Sequence, residues 1–358
     1  MLFTQKKLVI AGVGMTWRES RPGNSSGVCA ERKDMNDSPE NKYHVPVLLE
    51  AVMQYMAPAK GKTIVDGTLG GGGHSEAMLK AGARVIGVDQ DDQALAFARE
   101  RLAGFDDRFT AVRGNFANLP ALLASVGVGK VDGILVDIGV SSWQLDQAGR
   151  GFSFGKEGPL DMRMDRSGGK TAADLVNNGS EQELKALFYE YGEERAGGKI
   201  ARRIVERRQE REFATTTDLA DFIASIIPRG KGPAGKIHPA TRVFQALRIA
   251  VNDELGVLRE LLESAAALLN PGGRLLVITF HSLEDRMVKQ FFKHASQSHI
   301  DRKEWPEPRP NPDFQYKLIT RRPVVATDDE IKLNKRSRSA KLRVVEKIQP
   351  IIKDEQAS

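Results

Sequence analysis

Between Thr63 and Asp91 the chain reads TIVDGTLGGGGHSEAMLKAGARVIGVDQD, an order of residues that few folds accommodate. A short apolar strand, Thr63 to Val65, ends in Asp66. Four glycines, Gly70 to Gly73, run into His74, Ser75 and a helical segment, and a second apolar strand, Arg84 to Val88, ends in Asp89. Glycine reaches positive φ and carries no Cβ, so main-chain N–H groups can come close to a ligand. The helix start adds unpaired donors. Asp89 lies 19 residues beyond Gly70, the interval at which such units set a carboxylate against the ribose hydroxyls of an adenosine. The unit therefore implies an adenosine-containing cofactor.

The residues also bear on which adenosine. A nicotinamide-type fingerprint wants a third glycine where Ser75 stands, and no GKT or GKS follows the glycines, so a P-loop is excluded. Asp66 closes the first strand where a carboxylate can receive an ammonium group, which S-adenosylmethionine has and NAD lacks.

At 358 residues the chain can hold one large domain and a smaller one. Its single cysteine, Cys29, excludes a disulfide framework and a cysteine-based metal site, which points to a reducing cytoplasm. No apolar run approaches the roughly 20 residues that span a bilayer, so no membrane partner is expected, and no metal. Residues 1–42 lack periodicity and read as a disordered extension or a consequence of start-codon choice, Met35 being an alternative first residue. Further strands are expected at Phe109 to Val112, Val131 to Val136, Arg274 to Phe280, Tyr316 to Thr320 and Leu342 to Val345, with helices at Leu95 to Leu102 and Leu283 to His294. From Asp137 to Asn270 the pattern is almost wholly helical. The fold class is thus α/β, with a discontinuous sheet domain (43–145 and 251–347), a helical insertion (146–250) and a C-terminal tail (348–358). One apolar stripe, Ala240, Phe244, Leu247, Val251, Leu255 and Leu258, follows His238-Pro239. The proline-rich Trp305 to Pro312 is expected to form neither helix nor strand.

The net charge is +6 with a pI near 9.3, which permits a polyanionic partner. Arg195, Lys199, Arg203, Arg207 and Arg211 recur every four residues along one expected helix, and Lys332, Lys335, Arg336, Arg338, Lys341 and Arg343 cluster late in the chain. Single stripes are often solvated faces. Two clusters beside a nucleotide-binding core favour phosphate contact, with Arg242 a further candidate.

In an open parallel sheet the ligand lies outside the carboxyl ends of the strands. That places Asp66, the glycines, Asp89, Asn115-Phe116, Asp137 to Ser142 and Phe280-His281-Ser282 around one site. Phe116 can cover an adenine, and His281 is more simply a hydrogen-bonded structural residue than a proton carrier.

The blocks HVPVLLEAV (His44 to Val52), DGTLGGGGHS (Asp66 to Ser75), DIGVSSWQLD (Asp137 to Asp146), RGFSF (Arg150 to Phe154), GPLDMRMD (Gly158 to Asp165), YGEERA (Tyr191 to Ala196), HPATRVFQALRI (His238 to Ile249) and FHSLEDR (Phe280 to Arg286) together resemble the bacterial RsmH (MraW) family. Those proteins are S-adenosylmethionine-dependent methyltransferases acting on N4 of cytosine 1402 in 16S ribosomal RNA. The resemblance spans about residues 43–347, with Trp143 departing from the family's turn. It implies a class I (Rossmann-like) methyltransferase sheet with an inserted helical substrate-recognition domain, and the small ribosomal subunit as partner. It also implies cofactor contacts at Gly72, Gly73, His74, Asp89, Phe116, Asp137 and Gln144.

The cytosine amine is a poor nucleophile because its lone pair is delocalised, so transfer relies on alignment and on a group that accepts a hydrogen bond from the amine and localises the lone pair. Asp137, helped by the turn at Ser141 and Ser142, is the expected acceptor. Rival readings are a nicotinamide oxidoreductase, disfavoured by Ser75, and a non-catalytic RNA-binding factor, disfavoured by the intact Asp66, Asp89 and Asp137. Methylation of DNA or of another RNA base is separated only by the resemblance.

Overall fold

The computed structural model describes residues 46–227 and 238–349, all within one contact unit, Lys42–Ser358. The expected disordered extension, Met35 and Cys29, and the tail from residue 350, lie outside the described residues.

Among the described residues ten strands are formed: β1 (Thr63–Asp66), β2 (Arg84–Asp89), β3 (Phe109–Arg113), β4 (Val131–Asp137), β5 (Leu269–Thr279), β6 (His299–Ile300), β7 (Arg309–Pro310), β8 (Tyr316–Leu318), β9 (Val324–Val325) and β10 (Lys341–Lys347). The main sheet runs β3-β2-β1-β4-β5-β10-β8, with β9 also on β10. Pairings from β3 through β5 are parallel, and β10 is antiparallel to β5, β8 and β9. Connections from β1 lead outward to β2 and β3, and the chain then returns to place β4 on the other side of β1. The carboxyl ends of β1 and β4 therefore flank a topological switch point, where open α/β sheets leave a crevice.

The apolar runs seen in the sequence are strands buried on both faces. Val65, Ile134, Val136 and Val277 face one core with helices Glu254–Leu268 and Ser282–Ala295. Their neighbours Ile64, Leu135, Leu276 and Ile278 face a second core with helices Leu49–Met56, Gly73–Lys80 and Asp92–Arg101. A third core, from Phe152 to Leu247, belongs to the helices between β4 and β5.

Four details depart from expectation. β5 begins at Leu269, ahead of the expected Arg274, because the chain bulges through Asn270–Gly273 between the pairs Val131↔Leu269 and Gly133↔Arg274. The segment after Trp305 supplies a two-residue strand, β7, paired with β6. The stripe from Ala240 to Leu258 is two helices, Thr241–Asn252 and Glu254–Leu268, broken where Asp253 turns to φ 46°. The basic stripe is not one helix either. The helix spans Gly197–Arg208, so Arg195 precedes it and Arg211 follows it. Among the described residues no helix is long and apolar enough to cross a membrane.

Candidate methyl-donor site

The crevice at the β1/β4 switch point holds a cavity of about 440 Å³, within the range of small-molecule sites. Its walls include Gly70, Gly71, Gly73, His74, Asp89, Phe116, Asp137, Ser141 and Gln144. Seven expected site residues, Gly73, His74, Asp89, Phe116, Asp137, Ser141 and Gln144, thus converge on one space from four separate stretches of sequence.

The glycine turn is built tightly. Gly72 sits at φ 73°, just before helix Gly73–Lys80, and a Cβ on Gly73 would stand 2.5 Å from Pro46 Cγ. Gly72 itself is turned away from the cavity toward Leu102. Asp89 closes β2 with both oxygens engaged: Oδ2 accepts from Gly70 N–H at 2.8 Å and Oδ1 from Asp91 N–H at 2.9 Å. Burial raises its carboxyl from 3.8 to about 6. His74 is buried, its Nε2 2.9 Å from the Val47 carbonyl, and burial lowers its basicity.

Asp66 differs from its expected placement. It is buried beneath the turn rather than on the cavity wall, accepting from Ser75 Oγ at 2.7 Å and Thr68 N–H at 3.3 Å. Its carboxylate is thereby committed to holding the turn. Burial pushes its carboxyl up, and His74 pulls the other way.

At the far end, the Asp137 main-chain N–H donates to Thr68 Oγ1 at 2.7 Å. Its Oδ1 is buried with no hydrogen-bond partner among the described residues. Burial first, then the charges of Asp66 and Glu284, push its carboxyl well above the usual range. Ser141 caps the short helix Ser142–Asp146: its Oγ accepts from Gln144 N–H, and its N–H donates to Gln144 Oε1. The Ser142 side chain lies outside the described residues.

Sequence reasoning missed Asp91 and Arg150, a fully buried ion pair. Asp91 Oδ2 also accepts from Gln144 Nε2 at 3.0 Å, and Arg150 donates to the carbonyls of Arg163 and Met164. The end of β2, the Gln144 helix and the GPLDMRMD loop are pinned together there. Similarly, Asn252 donates to the Met162 carbonyl and accepts from Met164 N–H, and Gln245 donates to the Tyr191 carbonyl. His281 caps helix Ser282–Ala295 against Glu284, the structural role expected for it.

The cationic candidates are largely committed. Lys199 donates to the Ile226 carbonyl, Arg203 pairs with Glu206, and Arg207 and Arg211 converge on Asp218. Arg242 lies 3.8 Å from Glu194 and donates to the Glu193 carbonyl. Arg195 is exposed, its carbonyl accepting from Tyr189 Oη.

The model of the MraW methylase family matches residues 41–348. The chain belongs to that family. It is 51% identical over 306 residues to the ribosomal RNA small subunit methyltransferase H of Carboxydothermus hydrogenoformans, covering 85% of this chain and 98% of that one. It is 51% identical over 309 residues to the protein of the same name from Deinococcus deserti, covering 86% and 95%. A solved rRNA methylase from Streptococcus thermophilus aligns with a TM-score of 0.37 at 10% identity, covering 84% of this chain and 94% of that one. This MraW-family chain is a methyltransferase. The S-adenosylmethionine expected from the sequence fits the residues present: a tight glycine turn, a carboxylate at the end of β2, and a buried, unpartnered carboxylate oxygen on Asp137, a residue of the cavity wall.

Proposed function

We propose that this methyltransferase modifies N4 of cytosine 1402 in 16S ribosomal RNA by direct in-line transfer, with the small ribosomal subunit as partner. The reading draws on two relatives named as ribosomal RNA small subunit methyltransferase H, and the observation that carries it is the unpartnered, buried Oδ1 of Asp137. When bound, S-adenosylmethionine supplies an electrophilic methyl group on a sulfonium. The protein's part is to hold and align. Asp89 accepts ribose hydroxyls, Phe116 covers the adenine, and the N–H groups around Gly70 to His74 line the turn. Asp137 accepts a hydrogen bond from the target amine, which localises the nitrogen lone pair and stabilises the positive charge that develops there. A cation entering the cavity pulls the Asp137 carboxyl back down, favouring its anionic form.

The sheet portions 43–145 and 251–347 would carry the donor, and the insertion 146–250 would receive the RNA. The target base must be unstacked to reach the cavity. The test is Asp137→Asn, assayed by tritiated methyl transfer to unmodified small subunits and nucleoside analysis. Turnover is expected to fall on the order of 10²–10³-fold, with donor affinity changed less than about tenfold. Unchanged turnover removes Asp137 from the chemistry.

A further inference from the structure

The far end of the cavity carries a second polar group beside Asp137. Arg248 stands one turn before the break at Asp253, and Glu254 opens the next helix. Both line the cavity with Asp137 and Phe280. The guanidinium gives Nε and Nη2 to the two oxygens of Glu254, at 2.8 and 2.9 Å. Nη1 makes no hydrogen bond among the described residues. It lies 4.0 Å from where a Cβ on Gly139 would stand, and Phe280 Cδ2 is 3.8 Å from the same point. Gly139 follows Asp137 by two residues, so a donor and an unpartnered acceptor flank one turn of backbone.

We infer that Arg248 is a specificity-determining residue whose Nη1 edge donates to the N3/O2 side of the target pyrimidine while Asp137 accepts from its amine. The inference rests on the cytosine-N4 reading and assigns the half of base recognition which that reading leaves open. An extruded base is read along its Watson–Crick edge. Cytosine presents a donor, N4–H, beside two acceptors, N3 and O2, and meets an acceptor and a donor here. Uracil presents an acceptor at position 4 and a donor at N3, so it sets like against like at both groups. A site built to hydrogen-bond one pattern rejects the other strongly, because its buried groups are left unpaired. Glu254 serves this arrangement by neutralising the buried guanidinium and fixing its plane.

Two variants test this. Arg248→Lys keeps the charge and loses the planar fork. The double variant Arg248→Met/Glu254→Gln removes both charges together, so that neither is stranded in the interior. Each is assayed on unmodified small ribosomal subunits, with free cytidine and uridine as competing probes and calorimetry for S-adenosylmethionine. Wild type should be inhibited more strongly by cytidine than by uridine. Both variants should narrow that preference to the share Asp137 supplies, with kcat/KM down about 10–100-fold, the loss expected for one charge-assisted hydrogen bond, and donor affinity within about threefold of wild type. A variant that keeps wild-type kcat/KM and the cytidine preference overturns the assignment, as does one whose donor affinity falls in parallel. If wild type itself methylates a base other than cytosine, the cytosine-N4 reading fails. Failure confined to the variants leaves that reading standing and removes Arg248 alone.

Discussion

In the ribose-binding role proposed for it, Asp89 would couple cofactor affinity to pH in a way that can be worked out from its surroundings. Burial raises its carboxyl from 3.8 to about 6, against the opposing pull of the Asp91 and Gly70 N–H groups. In the proposed role a ribose hydroxyl would donate to the anion, so binding would require the ionised form. At pH 5 about one molecule in eleven carries it, which weakens binding about tenfold, or about 1.4 kcal/mol, relative to pH 7.5. The stability effect has the opposite sign from that of a salt-bridged carboxylate. The folded value lies above the unfolded one, so the favourable contribution is complete below about pH 3.8 and is lost as pH rises through about 6. The loss amounts to roughly 3 kcal/mol in the ligand-free protein, and donor binding must offset it. Calorimetry with S-adenosylmethionine at pH 5.0, 5.5, 6.5 and 7.5 reads the affinity slope directly. Asp89→Asn should bind weakly at every pH and should lose the part of the slope that Asp89 supplies. Its amide also cannot accept from both Gly70 and Asp91. A variant with the wild-type slope would refute the argument, since the titrating group would then lie elsewhere, with Asp137 the first place to look.

Two further substitutions probe the frame of the site. Gly73→Ala places a Cβ 2.5 Å from Pro46 Cγ, and should cost about 1–3 kcal/mol of stability by urea titration together with a loss of donor affinity. Arg150→Met leaves Asp91 buried without its cation, and should lower stability by about 3–5 kcal/mol. A change under about 1 kcal/mol would mean that Gln144 and the Gln93 N–H satisfy Asp91 without Arg150.

The sheet was legible because its strands are buried on both faces, which writes them into the sequence as continuous apolar runs. The Asp89 position was legible because the glycine-to-carboxylate interval is a property of one local unit. What escaped was nonlocal. Asp91 reads as an ordinary helix cap, and it is one, accepting from Gln93 N–H. Nothing near it in sequence announces Arg150, 59 residues on. The one available signal was an arginine set among Gly149, Gly151 and Phe152, a setting poor in solvating neighbours. The break at Asp253 was hidden for a different reason: a non-glycine residue takes the left-handed conformation there, while the apolar spacing runs on across it.

Charge was the least legible property, because a count of cations says nothing about which of them are already paired. Arg207 lies over the Phe213 ring at 4.0 Å and pairs with Asp218, and Arg208 donates to the carbonyls of Val176 and Gly179. Those cations hold the inserted helices together, so they are less available to neutralise phosphates and release the counterions condensed on a nucleic-acid backbone. Lys335 and Arg338, by contrast, are exposed and form no ion pair among the described residues, and Lys335 lies on the cavity wall beside Arg336 and Ser339. Lys335 and Arg338 would therefore be the members of the late cluster left to meet a nucleotide's flanking phosphates, since Lys332, Arg336, Lys341 and Arg343 pair with Asp329, Asp146 and Asp285, whereas the regular stripe that stands out in the sequence serves mainly the packing of its own helix.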